Sequence, residues 1–365
     1  MKRAAIWIAV FAVIIGTPHL SYILFYNFLD HTNYENRDMK AKPVFSVKDI
    51  ESYPEQFEAY YEDVLPYRNQ LIQLNSRVDY YIFKQSSSTD VLLGRDGWLF
   101  FCEPGMGNPL EQSLGYWHFS EEQLQTIAQN MMETQQALAD QGVEFVLFIA
   151  PNKESVYMEY IPDYYRCVDS YTSTMQLVDY LREHTDIMVV WPYEAMLRSK
   201  ETSPDVILYR LLDTHWNNVG AYIGAACLAE GLGMTLPPLN LLGLQEQHVS
   251  RGDLADMINL SFKNKDLDYE LNGYSKLYTE NKVWEYYDKI VYQTEGAPGG
   301  SLVMCGDSFR VALAPYAATL FEESYFIDQN HFAADMISEY DADVFVLETV
   351  ERHTIYLQAF NLKNQ

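Results

Sequence analysis

From Ala4 to Leu29 the chain carries no Asp, Glu, Lys or Arg, and Lys2 and Arg3 stand immediately before that run. As a helix these 26 residues would reach about 39 Å, more than the roughly 30 Å of a hydrocarbon core. A cationic start keeps the N-terminus in the cytoplasm and sends the rest across. Pro18 and His19 interrupt the run, so a cleaved signal peptide with its core at Ala4–Ile15 competes with this reading. Only the weak stretch around Gly16 and Thr17 offers it a cleavage site. The expectation is therefore an uncleaved anchor over residues 1–30, with everything after it outside the cytoplasm, in a single-pass protein of the cell membrane.

Beyond the anchor the periodicity changes several times. Asp30 to Lys42 is polar and reads as a juxtamembrane linker, while Ser46 to Phe83 places Leu65, Ile72 and Val78 at helical spacing before Ser86–Asp90 breaks the pattern. Residues 31–85 thus predict a helical stalk or cap. Val91 to Phe101 predicts a hairpin turning at Asp96-Gly97. Ser120, with Glu122 and Gln123 after it, opens a helix running to about Gln141. Val143 to Ala150 is apolar almost throughout and suits a strand covered on both faces. Further helices are expected near 173–184, 221–231, 311–320 and 332–340, with strands at 187–191, 301–305, 324–327 and 343–347. Residues 233–296, with Pro237-Pro238 and few apolar runs, are expected to be an insertion or subdomain. Strands alternating with helices predict an α/β domain over residues 86–365, built on a mostly parallel sheet flanked by helices.

Composition narrows the partners. Asp and Glu number 51 against 25 Lys and Arg, a formal charge of −26. That surface repels phosphate backbones, so no nucleic-acid partner is expected, and solubility of an outward-facing surface accounts for the charge. Cys102, Cys167, Cys227 and Cys305 have no metal-type spacing; Cys227 and Cys305 read as small core residues, and Cys102 and Cys167 could pair in an exported domain.

Three segments lie where parallel sheets collect chemistry, at the carboxyl ends of strands. Leu302–Phe309 ends a buried strand at Gly306 and sets Ser308 where a helix begins, exposing a hydroxyl beside unsatisfied N–H groups. Asp307 or Ser308 could instead merely cap that helix. In Asp213-Thr214-His215-Trp216 an extended backbone would turn Asp213 and His215 to one face, as a base and its orienting carboxylate require, although a lone His is commonly structural. Asn152, in Pro151-Asn152-Lys153 after the most apolar strand, is either an oxyanion donor or a turn former. Glu351-Arg352 is either a buried ion pair under the site or a plain surface pair. His118, His184, His248, His331 and His353 lack ligand spacing, and no third ligand is apparent beside Asp213 and His215, so no metal is expected. No phosphate-binding or dinucleotide Gly-rich loop appears, so no cofactor is expected either.

Taken together, these blocks carry a resemblance. Gly306-Asp307-Ser308-Phe309 is similar to the nucleophile block of SGNH hydrolases, whose Asp and His ordinarily follow the Ser. Here Asp213 and His215 precede it, the order of a permuted SGNH-hydrolase-like domain, which resembles the O-acetyltransferases AlgJ and AlgX and the DHHW-type proteins. Gly94–Phe100, Pro151-Asn152-Lys153 and Gly252-Asp253-Leu254-Ala255 match other blocks of that group, extending the likeness over roughly residues 91–352. The resemblance implies Ser308 as nucleophile, His215 as general base and Asp213 as its orienting carboxylate. Asn152, Asp307, Phe309 and Arg310 are then oxyanion or substrate-binding candidates. It further implies O-acetylation of an extracytoplasmic polysaccharide, with a multi-pass membrane O-acyltransferase as acyl donor. A polysaccharide acetyl esterase and an inactive scaffold are the alternatives. Thr214 replaces the second His of a literal Asp-His-His-Trp and leaves both triad members in place, whereas Arg310 stands where a small residue is expected and leaves the substrate unassigned.

Overall fold

A strand whose two faces are both apolar must be covered on both sides, and Glu144–Ala150 meets that demand by alternation. Phe145, Leu147 and Ile149 enter one buried cluster, while Val146, Phe148 and Ala150 enter another. The computed structural model describes residues 2–29, 31, 38–103, 107–262, 266–272, 279–281 and 288–364. In chain order its strands are β1 Val91–Leu93, β2 Leu99–Phe101, β3 Glu144–Ala150, β4 Met188–Val190, β5 Gly243–Val249, β6 Asp266–Asn272, β7 Thr279–Asn281, β8 Lys289–Gln293, β9 Gly299–Gly306, β10 Phe321–Asp328 and β11 Val344–Val350.

The central sheet has seven strands in the order β4-β3-β11-β9-β10-β8-β7. Its first five are parallel; β8 and β7 add antiparallel at the β10 edge. The fold is therefore α/β with a mostly parallel sheet and an apolar cluster on each face. Residues 233–296, expected as an insertion or subdomain, divide: β5 and β6 form a two-stranded ribbon of their own, whereas β7 and β8 extend the central sheet. The buried Ile290, Val291 and Tyr292 of β8 are too short a run to announce that membership from sequence.

Local signals account for most boundaries. Ser120 and Gln123 form a reciprocal capping box at the start of helix Glu121–Ala139. Helix Ser173–His184 is capped by Thr172. The helix expected from Val311 begins at Phe309 and tightens to a 3₁₀ turn at Ala318–Leu320 after Pro315. All four cysteines are free thiols, so the disulfide considered for Cys102 and Cys167 is not formed.

The chain divides into two compact units, residues 1–88 with 256–260, and residues 89–255 with 261–365. In the first, helix Lys2–Phe25 leads to helices Tyr53–Asp63 and Arg68–Val78. Ala4–Phe28 is long and apolar enough to cross a membrane. The Tyr67 hydroxyl donates to Ser21 Oγ at 2.8 Å, tying the second half of that first helix to the start of helix Arg68–Val78. Of the linker expected at 30–42, residues 30 and 32–37 lie outside the described residues. In the second unit, fully buried Phe148 meets Trp216 edge-on, with ring centroids 6.3 Å apart. Replacing Phe148 with Ala is expected to lower the unfolding free energy by about 3–5 kcal/mol, measured by denaturant titration followed by Trp fluorescence.

Candidate functional site

The strand β9 delivers a hydroxyl to the surface by a tightly held turn. Gly306 lies close against Glu348, so that a Cβ there would meet its Oε2 at 2.2 Å and its Cβ at 2.7 Å. The Asp307 N–H donates to that same carboxylate at 2.9 Å. Asp307 accepts from the Phe309 and Val350 N–H groups at 3.0 and 2.8 Å, and its carboxylate lies 3.3 Å from His353 Nδ1. Buried Arg310 folds back, donating to the Gly306 and Asp307 carbonyls at 3.3 and 2.7 Å and to Asp328 at 3.1 Å. With its neighbours pinned in this way, exposed Ser308 heads helix Phe309–Ala317.

The imidazole arrives on an irregular loop held from three sides. Lys153 lies fully buried beneath it and donates to the carbonyls of Leu99, Leu211 and Asp213 at 2.6, 2.8 and 2.9 Å. Its ammonium also sits 5.1 Å from the Trp98 ring centroid. The Asp266 carboxylate accepts from the Leu211 and Leu212 N–H groups at 2.6 and 3.0 Å. Trp216, fully buried, donates its indole N–H to the Phe309 carbonyl at 3.2 Å and packs edge-on against the Phe309 ring. The loop is thereby joined to the helix that begins at the serine.

The result is a continuous hydrogen-bonded chain. His215 Nε2 lies 2.7 Å from Ser308 Oγ, and its Nδ1 lies 2.7 Å from Asp213 Oδ1. Asp213 Oδ1 also accepts the His215 backbone N–H at 3.0 Å. Burial pushes the Asp213 carboxyl up, but its hydrogen bond to His215 and the charges of His215 and Arg210 hold it far below the usual carboxylate range. Burial pulls the imidazole down, and the bond and charge of Asp213, with Asp253, raise it above its ordinary value. Burial lowers Lys153 to about 8.

Not every expected residue faces the Ser308–His215 pair. Asn152, the oxyanion candidate, is fully buried: its amide donates to Gln112 Oε1 at 3.0 Å, and its Oδ1 accepts from Arg352 N at 3.3 Å. That geometry ties it into the scaffold. Asp307 and Arg310, expected as oxyanion or substrate-binding groups, instead have their polar atoms bound within the serine turn, as described. Phe309 is buried, with its ring centroid 5.0 Å from that of His215, so it supports the imidazole and does not line an open pocket. Glu351 and Arg352 are buried but make no ion pair with each other among the described residues. Glu351 accepts the Asn152 N–H at 2.7 Å, while the Arg352 guanidinium lies 5.7 and 5.5 Å from the Phe101 and Phe309 ring centroids.

Two residues were not singled out by sequence reasoning. Lys153 stood only as part of a matched block, and Asp253 likewise within Gly252–Ala255. Asp253 also corrects the expectation that nothing joins Asp213 and His215. One potential ligand atom from each of the three lies within 4.8 Å of the others, enough to consider a metal ion. In the described geometry His215 Nδ1 is already bridged to Asp213, and Asp253 accepts two hydrogen bonds from Thr214.

Comparison with known proteins agrees with this architecture. Among solved structures, PatB1 of Bacillus cereus superposes with a TM-score of 0.54 at 18% identity, covering 73% of this chain and 96% of PatB1. A DHHW family protein of Eubacterium siraeum superposes at 0.50 and 15% identity, covering 74% and 98%. Both likenesses are of fold. The probable alginate O-acetylase AlgJ of Pseudomonas aeruginosa is 25% identical over 213 residues, 56% of this chain. The chain spans about half the length of that curated relative, 50%. Residues 91–309, more than half of the chain and including both Asp213-Thr214-His215-Trp216 and Ser308, match the family described as the SGNH hydrolase-like domain of acetyltransferase AlgX, and the chain belongs to that family.

Proposed function

We propose that this protein is a membrane-anchored O-acetyltransferase acting on an extracytoplasmic polysaccharide, with Ser308 as nucleophile, His215 as general base and Asp213 as orienting carboxylate. One observation carries the reading: a single imidazole lies within 2.7 Å of both the Ser308 hydroxyl and the Asp213 carboxylate. A serine hydroxyl is a weak nucleophile until a neutral imidazole can accept its proton, and the carboxylate fixes the tautomer that can do so. The family's description as an acetyltransferase favours acetyl transfer.

In the first half-reaction Ser308 Oγ bonds to the acetyl carbonyl carbon while His215 Nε2 takes the hydroxyl proton. The resulting oxyanion is proposed to meet the Ser308 N–H, which makes no other hydrogen bond among the described residues, at the start of helix Phe309–Ala317. Collapse expels the donor's leaving group, which takes the proton from His215. In the second half a sugar hydroxyl gives its proton to His215 and attacks the acyl-serine, and Ser308 leaves with that proton. The proposed organisation is an anchor over residues 1–30, a stalk over 31–85 and a catalytic domain over 86–365. Lys2 and Arg3 before the apolar helix support an outward-facing domain. A multi-pass membrane O-acyltransferase is the proposed acyl donor, since an anchored domain is confined to the bilayer surface where such a donor lies.

Full-length protein in detergent, given 4-nitrophenyl acetate, is expected to yield acetylated sugar when an alginate oligosaccharide is added. Acetate with no acetylated sugar would instead support the esterase. Ser308→Ala is expected to cut kcat/KM by roughly a thousandfold or more, and full activity in that variant would contradict the assignment. Because the base works only when neutral and its charged form is favoured here, kcat/KM should rise with pH through a midpoint above 6.5. A midpoint at or below that value would contradict the coupling to Asp213.

A further inference from the structure

The segment Gly252–Ala255 clamps the loop that carries His215. Gly252 lies so close that a Cβ there would meet the Leu212 carbonyl oxygen at 2.1 Å, and the Ala255 N–H donates to that same oxygen at 3.2 Å. Between them, Asp253 Oδ1 accepts the Thr214 N–H at 2.7 Å, and its Oδ2 accepts the Thr214 hydroxyl. Asp253 Oδ2 also lies 3.5 Å from His215 Nδ1, and the Asp253 N–H donates to Asp213 Oδ2 at 3.3 Å. Two carboxylates from separate parts of the chain therefore face one imidazole nitrogen, with buried Thr214 bridging the second to the loop.

We propose that Asp253 is a positioning residue for the base, a second carboxylate that holds the His215 ring through Thr214 and supports the positive charge it gains during acyl transfer. This rests on the proposed roles of Ser308 and His215. Thr214 serves this bridge without a titrating ring, through its backbone N–H and its hydroxyl, both of which donate to Asp253. Asp213 and Asp253 favour the imidazolium, whereas Arg352 opposes it, and Arg210 draws on Asp213 from 3.5 Å. Ser308 and Phe309, the other neighbours, are uncharged.

Removing the second charge should make the imidazolium harder to form, with a paired signature. In full-length Asp253→Asn assayed with 4-nitrophenyl acetate, the plateau of kcat/KM is expected to fall by roughly ten- to a hundredfold. At the same time the acid limb should move about one unit lower, because the base stays neutral to lower pH. A purely structural role would lower the melting temperature and leave that midpoint in place, which overturns the inference. Should Asp253→Asn fail to fold, Thr214→Val and Thr214→Ser decide: loss of turnover in Val with recovery in Ser supports the bridge, and full turnover in Val overturns it. Ser308→Ala is run alongside. Turnover by that variant overturns the reading of the site and this inference with it, whereas an inactive Ser308→Ala beside an unshifted Asp253→Asn midpoint overturns the inference alone.

Discussion

Everything proposed for this protein depends on one hydrogen bond, between His215 Nε2 and the Ser308 hydroxyl, made by residues 93 positions apart. Neither residue can reach the other by local folding. The serine stands at the end of β9 and the imidazole on a loop without regular structure, so the contact exists only because the rest of the domain fixes both at once. A loop carrying an unshielded carboxylate and an imidazole would otherwise relax toward solvent, since exposed ion pairs contribute little. Here Lys153 takes up three carbonyls, Asp266 takes up two N–H groups and Trp216 locks the loop to the serine helix.

The surroundings of the serine turn hold several buried charged groups. Glu348, Glu351, Asp307, Arg310 and Arg352 all lie buried around the turn that carries Ser308. Such groups are costly unless bonded, and most are bound to backbone: Glu348 and Glu351 each accept an N–H, while Arg310 donates to two carbonyls. Burial raises Glu348 well above the usual range, with the Asp307 charge adding to it, and raises Glu351 to about 7. This arrangement exchanges conformational freedom for position. The turn that presents the hydroxyl is over-determined, which lets Ser308 itself stay exposed without losing its aim.

Much of this was legible in the residues. The unbroken apolar run of β3 announced a strand covered on both faces, and the Ser120 capping box marked a helix start. Gly306-Asp307-Ser308 and Asp213-Thr214-His215-Trp216 pointed to the pair that the fold brings together. What sequence could not show was how polar side chains partition between site and scaffold. Asn152, Asp307 and Arg310 have the chemistry of oxyanion or substrate contacts, but their hydrogen bonds run to Gln112, Val350 and Asp328, all distant in sequence. Asp253 was hidden for the converse reason: an acidic residue beside a glycine looks like a turn until the loop it clamps, 39 positions earlier, is in place. Strand β8 was missed because a short buried run inside a polar stretch carries little periodic signal.

The most direct test of the central claim is covalent. Full-length protein quenched during turnover of an acetyl ester, then digested and mapped by mass spectrometry, should carry one acetyl group on the peptide containing Ser308. That modification should disappear when an acceptor sugar is added in excess. Sustained turnover with Ser308 unmodified, or with the acetyl group on another residue, would contradict the account.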